Sequence, residues 1–157
     1  MTKSKSAFTI VELLIVIVVI GILAAIVIVA YNGVQTRAAA SRSISDLKHI
    51  QKSLELYKAT NGTYPETASN NWLNSDTNPT DYVPGLTSGT IAKLPTPQFG
   101  GDGSTYMYRS NGTDYKIMAH GGQYQTLCPI VKEQYPEMVP SRDCWAYAFY
   151  SPGGRLF

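Results

Sequence analysis

Lys3-Ser4-Lys5-Ser6-Ala7-Phe8-Thr9-Ile10-Val11-Glu12 leads into an uncharged run of eighteen residues, Leu13 to Ala30. Roughly 20 residues of helix cross the ~30 Å hydrocarbon core of a bilayer, so this run is long enough to be a membrane span. Glu12 stands at its leading edge, where an ionisable group is costly and needs a partner. A short basic leader, one acid and a long apolar run follow one another in that order. Most of the functional information in the chain lies there.

The whole chain has 157 residues, room for one modest domain beside the apolar run. Its hydrophobic content of 44% is concentrated in the first thirty residues, so the remainder folds around a small core. Net charge is +2, and without Lys3 and Lys5 the side chains balance at eleven basic against eleven acidic. That balance argues against a nucleic-acid groove built on bulk charge, and no nucleic-acid partner is inferred. The cysteines, Cys128 and Cys144, form a disulfide if that end lies outside the cytoplasm and stay thiols if it lies inside.

Three readings compete for residues 1–30. A secretory signal peptide has a shorter apolar region and a small-residue cleavage site, and Ile28-Val29-Ala30 is a poor one. A single-pass anchor with Lys3 and Lys5 in the cytoplasm gets mild support from the positive-inside rule, weakened by Arg37 and Arg42 beyond the other end. The third reading is specific: Ala7-Phe8-Thr9-Ile10-Val11-Glu12-Leu13-Leu14 closely resembles the processing motif of type IV pilins and pseudopilins. The resemblance implies cleavage by a membrane prepilin peptidase between Ala7 and Phe8, then N-methylation of Phe8. The family's usual residue before the cut is Gly, and Ala7 departs from that while keeping the side chain small.

The chemistry of Glu12 fits such a chain. A carboxylate among apolar helices must find a cation or take up a proton. The amine freed on Phe8 of a neighbouring subunit would be that cation, making Glu12 a device for axial register in assembly. The competing reading is a carboxylate that merely snorkels to the interface.

Beyond Ala30 the apolar pattern becomes one-sided. Ala40, Ile44, Leu47, Ile50 or Gln51, Leu54 and Tyr57 recur at spacings of three and four, which predicts an amphipathic helix. Arg42, Asp46, Lys48, Lys52, Glu55 and Lys58 lie between them, with Glu55 three residues from both Lys52 and Lys58. Asn61-Gly62 and Pro65 stop the helix, while Gly21 and Asn32-Gly33 are sites where it could weaken. One helix from Phe8 to Thr60 would be ~80 Å long. The amphipathic stripe spans about four turns without a sustained heptad, so packing on a sheet of the same chain is favoured over a coiled-coil stalk.

Residues 66–100, rich in Thr, Asn, Ser, Pro and Gly, read as a connecting loop with a helical turn near Asn71-Trp72-Leu73. Tyr82 to Leu86 and Leu94 to Pro97 look like its pegs. Tyr106–Arg109, a turn at Asn111-Gly112 and Tyr115–Ala119 predict a hairpin. Further strands are expected at Tyr124–Leu127 and Trp145–Tyr150. The implied organisation is a cleaved leader (1–7), a transmembrane or filament-core helix half (8–31), an amphipathic helix half (32–60), a connecting loop (61–105) and a sheet with a disulfide-closed loop (106–157). The fold class is α+β: a long N-terminal helix packed on an antiparallel sheet of three to four strands. A Cys128–Cys144 disulfide would be worth ~3 kcal/mol by loop entropy. Its counterpart in many pilins is a loop displayed on the fibre.

His49 and His120 lack local ligand partners, the cysteine spacing matches no zinc site, and Asp102 in Gly100-Gly101-Asp102-Gly103 reads as a turn rather than a calcium loop. No metal, cofactor or catalytic constellation is expected, and the chain does not read as an enzyme. The reading is a structural subunit of a type IV pilus, held in the cytoplasmic (inner) membrane by its single N-terminal helix. After processing it would enter a homo-oligomeric helical filament, an extracellular fibre, through the pilus assembly machinery. The alternative is a pseudopilin of a type II secretion or competence system. A different class altogether is a membrane-anchored binding domain that never polymerises.

Overall fold

The computed structural model describes residues 9–99, 103–138 and 144–157. Its main elements are α1 (Ile10–Asn61), β1 (Leu73–Asn74), β2 (Thr105–Ser110), β3 (Tyr115–His120), α2 (Gly122–Gln134) and β4 (Ala146–Tyr150). Single 3-10 turns occupy Ala68–Asn70, Leu86–Ser88, Pro136–Met138 and Gly153–Leu156. The chain divides into two units, Met1–Thr36 and Arg37–Phe157. The α+β class is found, with four antiparallel strands in the order β1-β2-β3-β4.

Helix α1 continues unbroken through Gly21 and Asn32-Gly33. A helical glycine costs only about 1 kcal/mol against alanine, too little to end a long helix by itself. The stop falls at Asn61. Gly62 takes φ 82° and its N–H bonds the Lys58 carbonyl at 2.8 Å, the left-handed cap that glycine adopts without a Cβ clash. In the first unit the described large apolar side chains from Ile10 to Ile28, with Tyr31 and Val34, are exposed by 47 to 83%. They meet no covering element among the described residues.

The second unit buries the other half of α1 on one side. Ala40, Ile44, Leu47, Ile50 and Leu54 are all buried, following the stripe expected from their spacing, with Tyr57 half-buried at its end. Facing them is the inner surface of the sheet. Strand alternation puts Tyr106 and Tyr108 of β2, Tyr115 and Ile117 of β3, and Tyr147 and Phe149 of β4 on that surface. The large rings span the gap to the helix, and their hydroxyls must then find partners at its rim. Tyr106 donates to Asp46 at 2.8 Å, Tyr115 donates to Glu55 at 3.1 Å, and Tyr147 shares a hydrogen bond with Ser43. Tyr64, just past the helix, donates to both oxygens of Glu55 at 3.1 and 3.0 Å. Burial is the largest cause holding these phenols above their usual range, Tyr64 at about 12, so they remain protonated donors.

Glu55, spaced to allow weak helix pairs with Lys52 and Lys58, takes the two phenols instead. A carboxylate at the rim of a buried face gains more from two fixed phenol donors than from solvated ammonium groups. Lys58 instead lies over the Tyr64 ring, 4.3 Å from its centroid. The loop pegs are as expected: Tyr82, Val83, Leu86, Ile91 and Leu94 are buried in the same core.

Two local expectations fail, while the hairpin turns at Asn111-Gly112 as expected. Tyr124–Leu127 is not a strand but part of α2, whose buried residues Tyr124, Leu127, Cys128 and Val131 follow helical spacing. Four residues are too few to separate a period of two from one of 3.6. No helical turn forms at Asn71-Trp72-Leu73, because Leu73 and Asn74 pair with Tyr108 and Met107 as β1, and the tight turn before it, at Ala68–Asn70, holds Ser69 and Asn70 at φ 54° and 55°. The hairpin turn is a four-residue loop, since Ser110 pairs Tyr115. There Asn111 Oδ1 accepts from the amides of Thr113 and Asp114 at 3.1 and 2.8 Å, and Gly112 takes φ 84°.

Two measurements test this account. Glu55→Ala strands two phenols and should cost about 1–3 kcal/mol, whereas Tyr115→Phe, leaving Tyr64 in place, should cost less; denaturant titration in detergent reads both. Asp46 is held above its usual range chiefly by burial, opposed by the Tyr106 bond and then by Arg42 and His49. The fold therefore favours its protonated form, and this site contributes stability below pH 3.8 that is lost as pH rises through the higher folded pKa. Asp46→Asn should remove that loss, so its melting temperature relative to the parent should climb from about pH 4 upward.

Candidate functional site

The start of α1 is a reciprocal cap. Thr9 precedes the first helical residue, and its side-chain oxygen accepts from the Glu12 amide at 3.2 Å. The Glu12 carboxylate reaches back and accepts from both the Thr9 amide and the Thr9 hydroxyl, each at 2.8 Å. Two amides that the helix leaves open are thus satisfied, and the negative charge sits at the positive end of the helix dipole. Both returning bonds fall on Oε2, and Oε1 has no hydrogen-bond partner among the described residues.

Sequence reasoning singled out Glu12 for its cost in an apolar setting but passed over Thr9. The signal was present, since Thr-x-x-Glu before an apolar run is the capping-box pattern. Ala7 and Phe8, the expected cleavage and methylation positions, lie outside the described residues, as does Asp102. The segment from Ile10 is long and apolar enough to cross a membrane by length and composition, and it is unburied.

Elsewhere, Cys128 of α2 is joined to Cys144 with a Cα–Cα distance of 5.4 Å, tying α2 to the residue two before β4. The stretch after Cys128 is the end of α2 and a 3-10 turn rather than open loop. His49 is exposed on α1 and His120 ends β3, half-buried. Among the described residues no group of three or more His, Cys, Asp or Glu side chains could hold a metal ion.

Residues 2–28 match the family described as the prokaryotic N-terminal methylation motif. Residues 30–127 match type II secretion system (T2SS), protein G. The chain belongs to the protein G family. This places it among type IV pilin-like proteins, as its N-terminal motif implies. It is 31% identical over 114 residues to the type II secretion system core protein G of Vibrio cholerae serotype O1, covering 70% of this chain and 74% of that protein. The core protein G of Klebsiella michiganensis is 32% identical over 104 residues, 64% of this chain and 72% of the relative. That of Escherichia coli K12 is 30% identical over 103 residues, 64% and 71% respectively. No solved structure matches.

Thr9→Ala in this family member should fray the first turn and speed amide exchange from Ile10 to Leu13, while Thr9→Ser should not. Hydrogen exchange of the protein in detergent micelles reads the difference.

Proposed function

We propose that this chain is a pseudopilin, a structural subunit of a type II secretion pseudopilus. It is held in the inner membrane by the first part of α1, cut by prepilin peptidase between Ala7 and Phe8, and N-methylated on Phe8. It then assembles with copies of itself, working with the secretion machinery at the periplasmic side rather than as an extracellular fibre. Of the two filament readings open from the sequence, the protein G match favours secretion over a pilus.

One observation carries the polymer reading: the described large apolar side chains from Ile10 to Ile28, with Tyr31 and Val34, stay exposed by 47% or more. Exposed apolar surface on that scale requires lipid before assembly and identical neighbours afterwards. Glu12 guides the transfer between the two. Thr9 fixes the carboxylate through Oε2, leaving Oε1 for the Phe8 amine of an adjacent copy. An ion pair of that kind sets axial offset more than it stabilises. The family's role is structural, so no catalytic step is assigned to this chain.

Intact-mass measurement tests the reading. The mature chain should lack residues 1–7 and carry one added methyl group on Phe8, and an intact leader in assembled material would refute it. Glu12→Ala should insert normally but lose assembly; filaments in normal yield would remove Glu12 from the register role.

A further inference from the structure

Within the second unit, α1 shows solvent a basic stretch from Arg37 to Lys52. Arg37, Ser41, Ser45, Lys48 and Lys52 follow at spacings of four, four, three and four and are all exposed, so they share one side of the helix. Arg42 and His49, also exposed, flank it. Asp46 turns toward the sheet and accepts from Tyr106, while exposed Glu55, three residues beyond Lys52, accepts from Tyr64 and Tyr115 and bounds the basic stretch. Arg37 and Lys52 have no partner among the described residues. The two serines leave a groove of about 280 Å³ beside Lys48, walled by Gln134 and Tyr135 at the end of α2. Lys48 is held there with its ammonium 4.4 Å from the Tyr135 ring centroid. Nearby in sequence, Lys132, Glu133 and Glu137 are exposed.

The opposite charge is displayed after β1. From Glu66 to Ala92 the chain has no Lys or Arg, and Asp76 and Asp81 are exposed within it. The turn is braced internally. Asn74 Oδ1 accepts from the amides of Asp76 and Thr77 at 3.1 and 2.9 Å, and the Asp81 amide bonds the Asn78 carbonyl at 3.2 Å. Gly85 donates to Asp81 Oδ1 at 3.2 Å. The Asp76 carboxylate accepts no hydrogen bond among the described residues.

The fold puts these surfaces at opposite edges. β1 is one edge of the sheet, and α2 packs against β4, the other edge. Two different, charge-complementary patches at opposite edges suit a head-to-tail contact, which repeats openly instead of closing as a two-fold dimer. We infer that the cationic face of α1 receives the Asp76–Asp81 turn of a second copy of this chain, with Asp76 near Lys48 and Lys52. This rests on the polymer reading above and adds to it the surfaces that set the lateral register of the globular units. Pairs of this kind contribute specificity more than affinity and weaken as salt shortens the Debye length below ~8 Å.

The test uses the full chain carrying Ser45→Cys and Thr77→Cys, scored for crosslinks between copies and for filaments by electron microscopy. Lys48→Glu with Lys52→Glu, or Asp76→Lys with Asp81→Lys, should each cut crosslinking about tenfold, and all four together should restore it to within about twofold. Lys52→Glu alone, which disturbs no packing, should show the same direction. Unchanged crosslinking in both reversed variants, with filaments present, overturns the interface while leaving the polymer reading intact. Loss from the α1 reversal but not from the turn reversal overturns it too, and points the cationic face at another anion such as a lipid surface. Absence of filaments from the unaltered chain overturns both.

Discussion

A layer of tyrosines standing between α1 and the sheet carries the globular unit. Leu47, Ile50 and Leu54 are fully buried beneath rings from all three long strands. Those rings are long enough to cross the gap but bring hydroxyls that cannot be left unpaired in a dry core. The helix answers with polar side chains at the rims of its apolar stripe: Ser43, Asp46 and Glu55. Each contact fixes the rotation of α1 about its own axis. A helix turned by one residue would lose all three partners and bury charge instead.

The same fixed rotation decides what the helix shows to solvent. With Asp46 drawn to Tyr106, Arg37 and Lys48 meet no acid of the helix on the outer face, and Glu55, held by Tyr64 and Tyr115, ends the basic stretch after Lys52. Packing inside the unit and recognition outside it are two results of one choice of partners.

The first part of α1 obeys a different constraint. Its side chains are apolar on every side, so no single-chain fold could cover them, and its stability depends on the medium. Among the described residues, Thr9 and Glu12 supply the polar structure at its beginning, a cap that satisfies the first amides while holding a carboxylate where a cation can reach it. Membership of the protein G family fits the proposed passage of this segment from lipid to a bundle of its own copies.

Patterns that repeat over many residues were legible in the sequence: the apolar run, the stripe from Ala40 to Tyr57, the β2–β3 hairpin and β4, along with Glu12 as the anomalous charge. Each is a local periodicity or a local cost, readable from residue type and spacing. Tertiary structure alone decided the two-residue strand β1, the helical state of Tyr124–Leu127 and the partners of Asp46 and Glu55. Those outcomes depend on groups sixty positions away or on windows too short to hold a period. Thr9 lies between the two cases, a local signal hidden by the louder apolar run that follows it. Spacing along a chain reports which face is greasy, but only the folded neighbours settle which polar atom a rim carboxylate meets.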